Sequence, residues 1–387
     1  MTTPALAATG RWTRTGDLPT AASWYGQYDG AVLLRSGKVL LVGGADGRGA
    51  PVAATALYDP AAARWTAGAP LRSPRRLHTV TRLDDGRVLV AGGTGGASPL
   101  SPSPATAELY DPVTDTWSRA GDLREARRGH SAVLLENGKV LVAGGVAAGS
   151  RDPADGLRSV ELYDPATDAW SPAAPMARAR TGHSAVRFTG GRVIVCGGAV
   201  PPARTGETAL GPCELYTPAT DSWAPTGSLL EPRSDHQTVP VTHTAALVVG
   251  GATPGAPEDG AHDPYGTLTT ERYELATGLW TALPPMPGGR GAHRVVPLGP
   301  TTFLLIGGTA DVHDNVGYQS ALILDSAART WTPAAGSLTG RWAFAAVALA
   351  DGRVLVTGGT VHSGLAAADP DTDELTATTE IFTIGGP

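Results

Sequence analysis

The sequence predicts an all-β protein, a seven-bladed β-propeller, because one unit of about fifty residues recurs along the whole chain. A Gly-Gly pair and a tryptophan return once in every unit. The pairs lie at 43–44, 92–93, 144–145, 197–198, 250–251, 307–308 and 358–359, and the tryptophans are Trp12, Trp65, Trp117, Trp170, Trp223, Trp280 and Trp331. A wheel of blades is the usual fold for repeats of this length and strand content.

Each unit predicts four short strands, and the third copy shows them in order. Residues 131–135 form the first strand, and Asn137-Gly138 then supplies a tight hairpin turn. The second strand, 139–145, is apolar without alternation, which is typical of a strand covered on both faces. Tyr163 marks the third strand and Trp170 the fourth. A tyrosine stands seven residues before most of the periodic tryptophans, with Leu324 and Phe382 in its place in the last two copies.

The order of the pieces predicts how the ring closes. Trp12 belongs to a fourth strand that no first three strands precede, and the last copy has three strands but no tryptophan after them. We therefore expect one propeller over residues 1–387 whose N-terminal strand, about 10–18, completes blade seven and removes an open edge. The predicted blades are about 20–67, 71–119, 123–172, 176–225, 229–282, 286–333 and 338–384.

Composition narrows the possible functions. The chain has 51 Gly and 32 Pro, a formal net charge of −6 and no basic block, so we expect no nucleic-acid partner. No apolar run has the length of a membrane span, and the N-terminus lacks the pattern of a secretion signal, so we expect a cytoplasmic protein. Cys196 and Cys213 are the only cysteines and are expected to stay thiols. We also expect a monomer.

The Gly-Gly, Tyr and Trp residues at these intervals resemble kelch repeats, of the kind found in standalone bacterial propellers. The resemblance covers the whole chain and implies the propeller fold. It does not imply one function, because kelch propellers carry unrelated activities.

Two further periodic residues predict buried ion pairs. Arginine stands three residues before the periodic histidine place in six units, and glutamate stands two before the tyrosine place in five. Pairing them within a blade leaves only Arg290 without a glutamate, since Leu322 takes that place, while blade one has Gly26 and Ala56. We expect Arg–Glu pairs that tie each loop to its own blade.

Residues that depart from the repeat are the candidates for function. They fall on the long-loop face, which carries the loops from strand two to strand three and from strand four to the next blade. The aromatic departures are Trp24, Tyr25, Tyr28, Tyr265, Tyr318 and Trp342. They either line a ligand pocket or fill the seam where the ring closes.

The histidines also divide into periodic residues and departures from the repeat. His78, His130, His183, His236 and His293 are periodic and predicted to be structural, with Asp29 and Phe344 in their place in blades one and seven. His262, His313 and His362 instead lie on the long loops of blades five, six and seven.

These departures favour a propeller that binds a small, anionic organic ligand on its long-loop face, with acid–base chemistry such as an isomerisation or cyclisation and no cofactor. The predicted catalytic residues are Asp29, His313 and His362. The predicted ligand-binding residues are Trp24, Tyr25, Gln27, Tyr28, Arg290, Asp311, Tyr318 and Trp342. Among kelch proteins, bacterial sialic-acid mutarotases are the most similar precedent.

Two alternatives stay open. The same face resembles the kelch propellers of ubiquitin-ligase adaptors, which capture an acidic peptide loop, and this predicts a protein partner instead of a small molecule. Glu258, Asp259 and His262 resemble the iron-binding loop of plant specifier proteins, which predicts a metal-dependent enzyme on a kelch scaffold, a lyase or an oxidase. Their spacing differs from that family's regular step.

Overall fold

The computed structural model describes residues 9–24, 30–96, 104–147, 156–200, 208–253, 265–310 and 316–385. In these ranges the chain forms seven four-stranded antiparallel sheets, each built from consecutive strands along the chain except the last. The seven-bladed propeller is thereby confirmed.

The first six blades follow one another along the sequence. Blade one has strands Ala31–Leu33, Val39–Val42, Thr55–Asp59 and Arg64–Ala67, and blade two has Thr79–Arg82, Val88–Ala91, Ala107–Asp111 and Thr116–Arg119. Blade three has Ser131–Leu134, Val140–Ala143, Val160–Asp164 and Ala169–Ala173, and blade four has Ser184–Arg187, Val193–Cys196, Cys213–Thr217 and Ser222–Thr226. Blade five has Gln237–Thr242, Ala245–Val249, Thr270–Glu274 and Leu279–Leu283, and blade six has Arg294–Pro297, Thr302–Ile306, Ala321–Asp325 and Thr330–Ala334.

Blade seven combines both ends of the chain. Its strands Ala345–Ala348, Val354–Thr357 and Thr379–Thr383 are completed by Arg11–Arg14, which pairs with the last of them so that Trp12 lies opposite Phe382. The rings of these two residues are 5.1 Å apart. The predicted closure by the N-terminal strand is confirmed.

Short elements decorate the long-loop face. Two-stranded ribbons pair Arg127–Arg128 with Val146–Ala147, Ala199–Val200 with Thr208–Ala209, Ala252–Thr253 with Tyr265–Gly266, and Thr360–His362 with Glu374–Leu375. Among the described residues, a 3-10 turn at Gly364–Ala366 lies in the long loop of blade seven, and one at Pro218–Thr220 joins strands three and four of blade four on the opposite face. No helix in the described ranges is long and apolar enough to cross a membrane.

Burial follows the radial order of the strands. First strands of successive blades contact one another around the axis, including those of blades seven and one. The second strands are buried almost throughout, as their unbroken apolar sequence predicts. On an outer strand such as Arg64–Ala67, only the tryptophan is buried.

Tyrosine and tryptophan hold neighbouring blades together at the rim. Tyr110 and Trp117 are cross-strand partners with ring centroids 5.0 Å apart. The indole N–H of Trp117 also donates to Ala69 O, in the loop that enters the blade from its predecessor, at 2.8 Å. The tyrosine and tryptophan therefore fill the space within the blade, and the tryptophan also links it to the preceding blade.

Removing the N-terminal strand is expected to unfold the protein. Deletion of residues 1–18 leaves blade seven with three strands and exposes Phe382 along an unpaired edge. We expect loss of the cooperative thermal transition, measured by near-ultraviolet circular dichroism. Deletion of residues 1–8 alone is the control and should keep the transition. A cooperative transition in the longer deletion at the wild-type temperature would contradict closure by this strand.

Candidate functional site

A buried arginine anchors each long loop to its blade. In blade two, the Arg75 guanidinium donates to Gly92 O and Thr106 O, both at 3.0 Å, and to Glu108 at 2.7 Å. Glu108 in turn accepts the backbone N–H groups of Arg72 and Ser73, at 2.8 and 3.2 Å. The loop before strand one, the Gly-Gly corner and strand three are thereby joined at one point, which we call the arginine knot.

The complete knot is present in five blades. The predicted pairing within a blade is confirmed for Arg75–Glu108, Arg127–Glu161, Arg180–Glu214, Arg233–Glu271 and Arg341–Glu380. All five guanidinium groups are fully buried. Burial lowers the pKa of Arg75, and the charge of Glu108 opposes that shift.

Blade six keeps the arginine without the carboxylate. Arg290 donates to Gly307 O at 2.9 Å and to the backbone and side-chain oxygens of Ser320, at 3.2 and 3.0 Å. Its guanidinium lies 5.3 Å from the centroid of the Tyr318 ring. Burial, with no glutamate opposing it, lowers the pKa of Arg290 to about 10. Both Nη atoms already serve protein oxygens, and only Nε lacks a partner among the described residues.

His362 is held by a carboxylate on the loop of blade seven. Its Nδ1 is 2.6 Å from Glu374 Oε2, and both side chains are partly exposed. The backbone N–H of Ala368 donates to the other oxygen of Glu374, and the contact with His362 lowers the pKa of that carboxyl group. The bond to Nδ1 leaves Nε2 as the atom available to a ligand.

Five predicted site residues lie close together on blades six, seven and one: Trp24, Arg290, Tyr318, Trp342 and His362. His362 bridges to Val316, two residues before Tyr318, and Trp342 pairs with Thr360 on the same loop as His362. The backbone N–H of Trp24 donates to Ala343 O, beside Trp342. Trp24 is only 5% exposed and belongs to an apolar cluster with Leu41 of blade one and Leu355 of blade seven, so it packs at the seam. Trp342 is fully buried and clusters instead with Ala292 of blade six.

The blade-one loop differs from the sequence-based alignment. Gly359 N donates to Ala22 O as Gly44 N donates to Arg75 O, so Ala22, not Gly26, occupies the arginine place. The Trp24 indole packs against Gly358 where later blades place an imidazole, a place that spacing assigned to Asp29. Counting back from Gly-Gly failed here because the loop carries extra residues between Trp24 and Gly30.

Nine predicted residues lie outside the described ranges, and their assignments stay predictions. They are Tyr25, Gln27, Tyr28, Asp29, Glu258, Asp259, His262, Asp311 and His313. Within the described ranges, no group of three or more His, Cys, Asp and Glu side chains is arranged to hold a metal ion.

Two arginines that the sequence analysis missed lie at the mouth of the central channel. Arg76 and Arg128 directly follow the knot arginines of blades two and three. Arg128 is half-buried, and burial together with the charge of Arg76 lowers its pKa. Its Nη1 is buried and has no hydrogen-bond partner among the described residues. The sequence could have shown them as departures from the repeat, because the position directly after the knot arginine holds Thr181, Ser234 and Gly291 in the next three blades.

Arg128 lines a cavity of about 140 Å³ at this mouth. Thr181 and Ser234 supply hydroxyl groups to its wall, and Asp235 supplies a carboxylate. A chain of backbone hydrogen bonds supports it, from Gly129 N to Leu77 O, Gly182 N to Gly129 O and Asp235 N to Gly182 O. These mouth residues have positive φ, 55° at Leu77 and 50° at Asp235, which recurs from blade to blade.

Arg294 is a second buried cation that the sequence analysis overlooked. It begins strand one of blade six, at the place that Thr79 and Ser131 hold in blades two and three. Its guanidinium donates to Trp24 O at 3.0 Å and lies 5.9 Å from the Phe344 ring centroid. Arg294 therefore ties blade six to the seam between blades seven and one.

The periodic histidines are structural, as predicted. His130 Nε2 lies 3.1 Å from Thr79 Oγ1, and His183 Nε2 lies 2.9 Å from Ser131 Oγ, so each ring reaches the preceding blade. Burial lowers the pKa of His78 and of His236 to about 3, and it lowers those of His130, His183 and His293 well below the usual range.

Comparisons with known proteins support a kelch-repeat chain. A family model, the Kelch motif, matches residues 75–124 and 126–177. Human Kelch-like protein 34 is 30% identical over 193 residues, 50% of this chain and 28% of that protein. Human Kelch repeat and BTB domain-containing protein 13 is 31% identical over 57% of this chain and 43% of its own length. The chain thus spans less than half of either relative.

A solved structure shares the fold. A novel fungal alcohol oxidase of the AA5 family, in complex with copper, superposes with a TM-score of 0.71 over 97% of this chain and 76% of that chain. Sequence identity is 17%, so the likeness concerns the fold alone.

Acid is expected to destabilise the protein through the buried imidazoles. Because their pKa values in the folded state lie below the ordinary value of 6.5, the unfolded chain binds more protons between about pH 6.5 and pH 3. Stability is therefore full above this window and falls inside it, by about 1.4 kcal/mol per pH unit for each such histidine. Urea unfolding from pH 7 to pH 4.5 measures the slope.

His293→Phe copies Phe344 of blade seven and should reduce that slope by about one proton. His243→Gln changes an exposed histidine on the opposite face and is the control, with no expected change. An unaltered slope in His293→Phe would show that this imidazole does not contribute.

Proposed function

We propose that this propeller is a binding module whose long-loop face recognises an anionic group of its partner at the mouth of the central channel. The observation that carries the proposal is the Arg128 guanidinium, half-buried beside Arg76, with a buried Nη1 that lacks a partner among the described residues. A carboxylate or phosphate suits this place, because a guanidinium binds either with two parallel hydrogen bonds.

Electrostatics supports an anion more than a neutral ligand. Two neighbouring cations repel each other, and partial burial weakens their hydration, as the lowered pKa of Arg128 reflects. An anion between them would offset both effects. Asp235 on the same cavity already contributes one carboxylate, so it disfavours a ligand with two negative charges there.

The cavity also suggests how much of the partner enters it. About 140 Å³ corresponds to a few water molecules, which suits one carboxylate-bearing group and not a whole metabolite of drug size. We therefore favour the acidic side chain or terminus of a protein segment, in line with the kelch-repeat relatives, over the small free ligand expected from the sequence. Arg290 is a weaker candidate than Arg128, because its Nη atoms already bind protein oxygens.

Arg128→Met tests the anion site, since it removes the charge and keeps the apolar stem. We expect wild-type protein to bind acidic peptides on an array, and the affinity of the best one to fall at least tenfold in the variant, measured by fluorescence anisotropy. Arg178→Met removes one exposed arginine from the same face and is the control. Equal affinity in Arg128→Met would refute the assignment. Binding of succinate and inorganic phosphate alone would favour the small-ligand alternative.

A second candidate function is acid–base catalysis by His362. Its support is the Glu374 carboxylate, which orients the imidazole in the manner of a general base and leaves Nε2 free to act. Tyr318 and Trp342 are neighbours of the same loop, and Asp29 and His313 stay the proposed partners in proton transfer.

Polarimetry on aldoses and sugar acids tests this candidate. We expect His362→Gln to lower any accelerated ring opening at least a hundredfold, because a positioned acid or base contributes at least that factor. His243→Gln, on the opposite face, is the matched control and should keep the wild-type rate. No acceleration by wild-type protein, or equal rates in both variants, would remove this candidate for these substrates.

A further inference from the structure

Blade one lacks both members of the arginine knot. Ala22 occupies the arginine place, as its hydrogen bond with Gly359 N shows, and Ala56 occupies the glutamate place on strand three. Both replacements are small, so neither fills the volume that a guanidinium and a carboxylate take up in blades two to five and seven.

A cavity of about 260 Å³ lies where the knot would be. Ala22 and Ala56 line it together with Gly43 and Ala54, the residues that correspond to Gly92 and Thr106 of blade two. Leu18, Leu41 and the Trp24 indole make most of its other walls apolar. We call this cavity the empty knot.

The empty knot keeps the acceptors that hold a guanidinium elsewhere. In all six blades with a knot arginine, the carbonyl of the first glycine of the Gly-Gly pair accepts from Nη1, at 2.8 to 3.0 Å. In blade one the equivalent acceptor is Gly43 O, and no described residue donates to it. Within the described ranges, Ala54 O accepts only the backbone N–H of Gly43.

Blade six shows that a guanidinium occupies this slot without a carboxylate. Leu322 replaces the glutamate there, and Arg290 is held by two carbonyls, a hydroxyl and the face of Tyr318. Blade one keeps the two carbonyls as Gly43 O and Ala54 O, and the Trp24 indole lines the same cavity, without the arginine. Carbonyl oxygens accept hydrogen bonds and cannot donate them, so they favour a cation over an anion.

We propose that the empty knot is a binding site for a small guanidinium or amidinium cation with an apolar body. The cation takes the place of the missing arginine and donates to Gly43 O and Ala54 O, while its body contacts the apolar walls. This site is separate from the channel mouth, so it stands independently of the proposed anion site.

Benzamidinium chloride is the probe, and benzamide is its neutral counterpart of nearly the same shape. We expect benzamidinium to raise Tm saturably above an equal concentration of sodium chloride, because it binds only the folded chain. Benzamide should bind at least threefold more weakly. Isothermal titration calorimetry gives both dissociation constants.

Ala22→Arg with Ala56→Glu rebuilds the knot that five other blades contain. This double variant should bind benzamidinium at least tenfold more weakly than wild type. Ala22→Met places an uncharged side chain in the slot where other blades hold their arginine, and it gives a second test if the double variant does not fold. It should also weaken binding. Arg178→Met is the surface control and should bind as wild type does.

Three results would overturn the proposal. They are absence of benzamidinium binding to wild-type protein, equal binding to the filled and unfilled slots, and equal binding of benzamide. The last would show an apolar cavity without selectivity for a cation.

Discussion

The arginine knot is the constraint on which the long-loop face depends. A buried guanidinium loses its hydration, so it is stable only where protein oxygens replace the lost water. Arg233 finds these oxygens in Gly250 O, at the Gly-Gly corner, and in Thr269 and Glu271, at the start of strand three. The requirement for a full set of acceptors holds the ends of each loop in place. The loop between those ends is then free to vary in length and sequence.

The two incomplete blades follow from the same energetics. A glutamate without its arginine would be a buried, unpaired charge, and blade one shows neither partner, with Ala22 and Ala56 in their places. In blade six the arginine remains, and Leu322 replaces the glutamate. Pro287, which has no backbone N–H, stands where other blades donate a backbone N–H to that glutamate. The carboxylate and one of its two backbone donors are thus missing together.

Periodicity made the fold and the knot predictable, because every blade must satisfy the same contacts. Arg290 was correctly identified as the arginine without a glutamate, and the orienting carboxylate of His362 was not, since it depends on the ribbon that pairs residues 362 and 374. The arginine place of blade one was assigned to Gly26 and not to Ala22, because extra residues in the blade-one loop shift the count from Gly-Gly. The empty knot could not be predicted from the sequence. Alanine at a periodic position shows that a larger side chain is missing, and it does not show whether neighbouring residues fill the space.

The channel mouth combines rigidity with charge in a way that favours recognition. Its backbone amides are used in hydrogen bonds between blades, so they are not available to a ligand, and the side chain after each knot arginine decides what the mouth presents. In blades two and three that side chain is arginine, and burial together with the charge of Arg76 lowers the pKa of Arg128. An anion bound at this mouth would offset the repulsion between the two guanidinium groups. A scaffold of five complete knots provides the stability that such an arrangement requires.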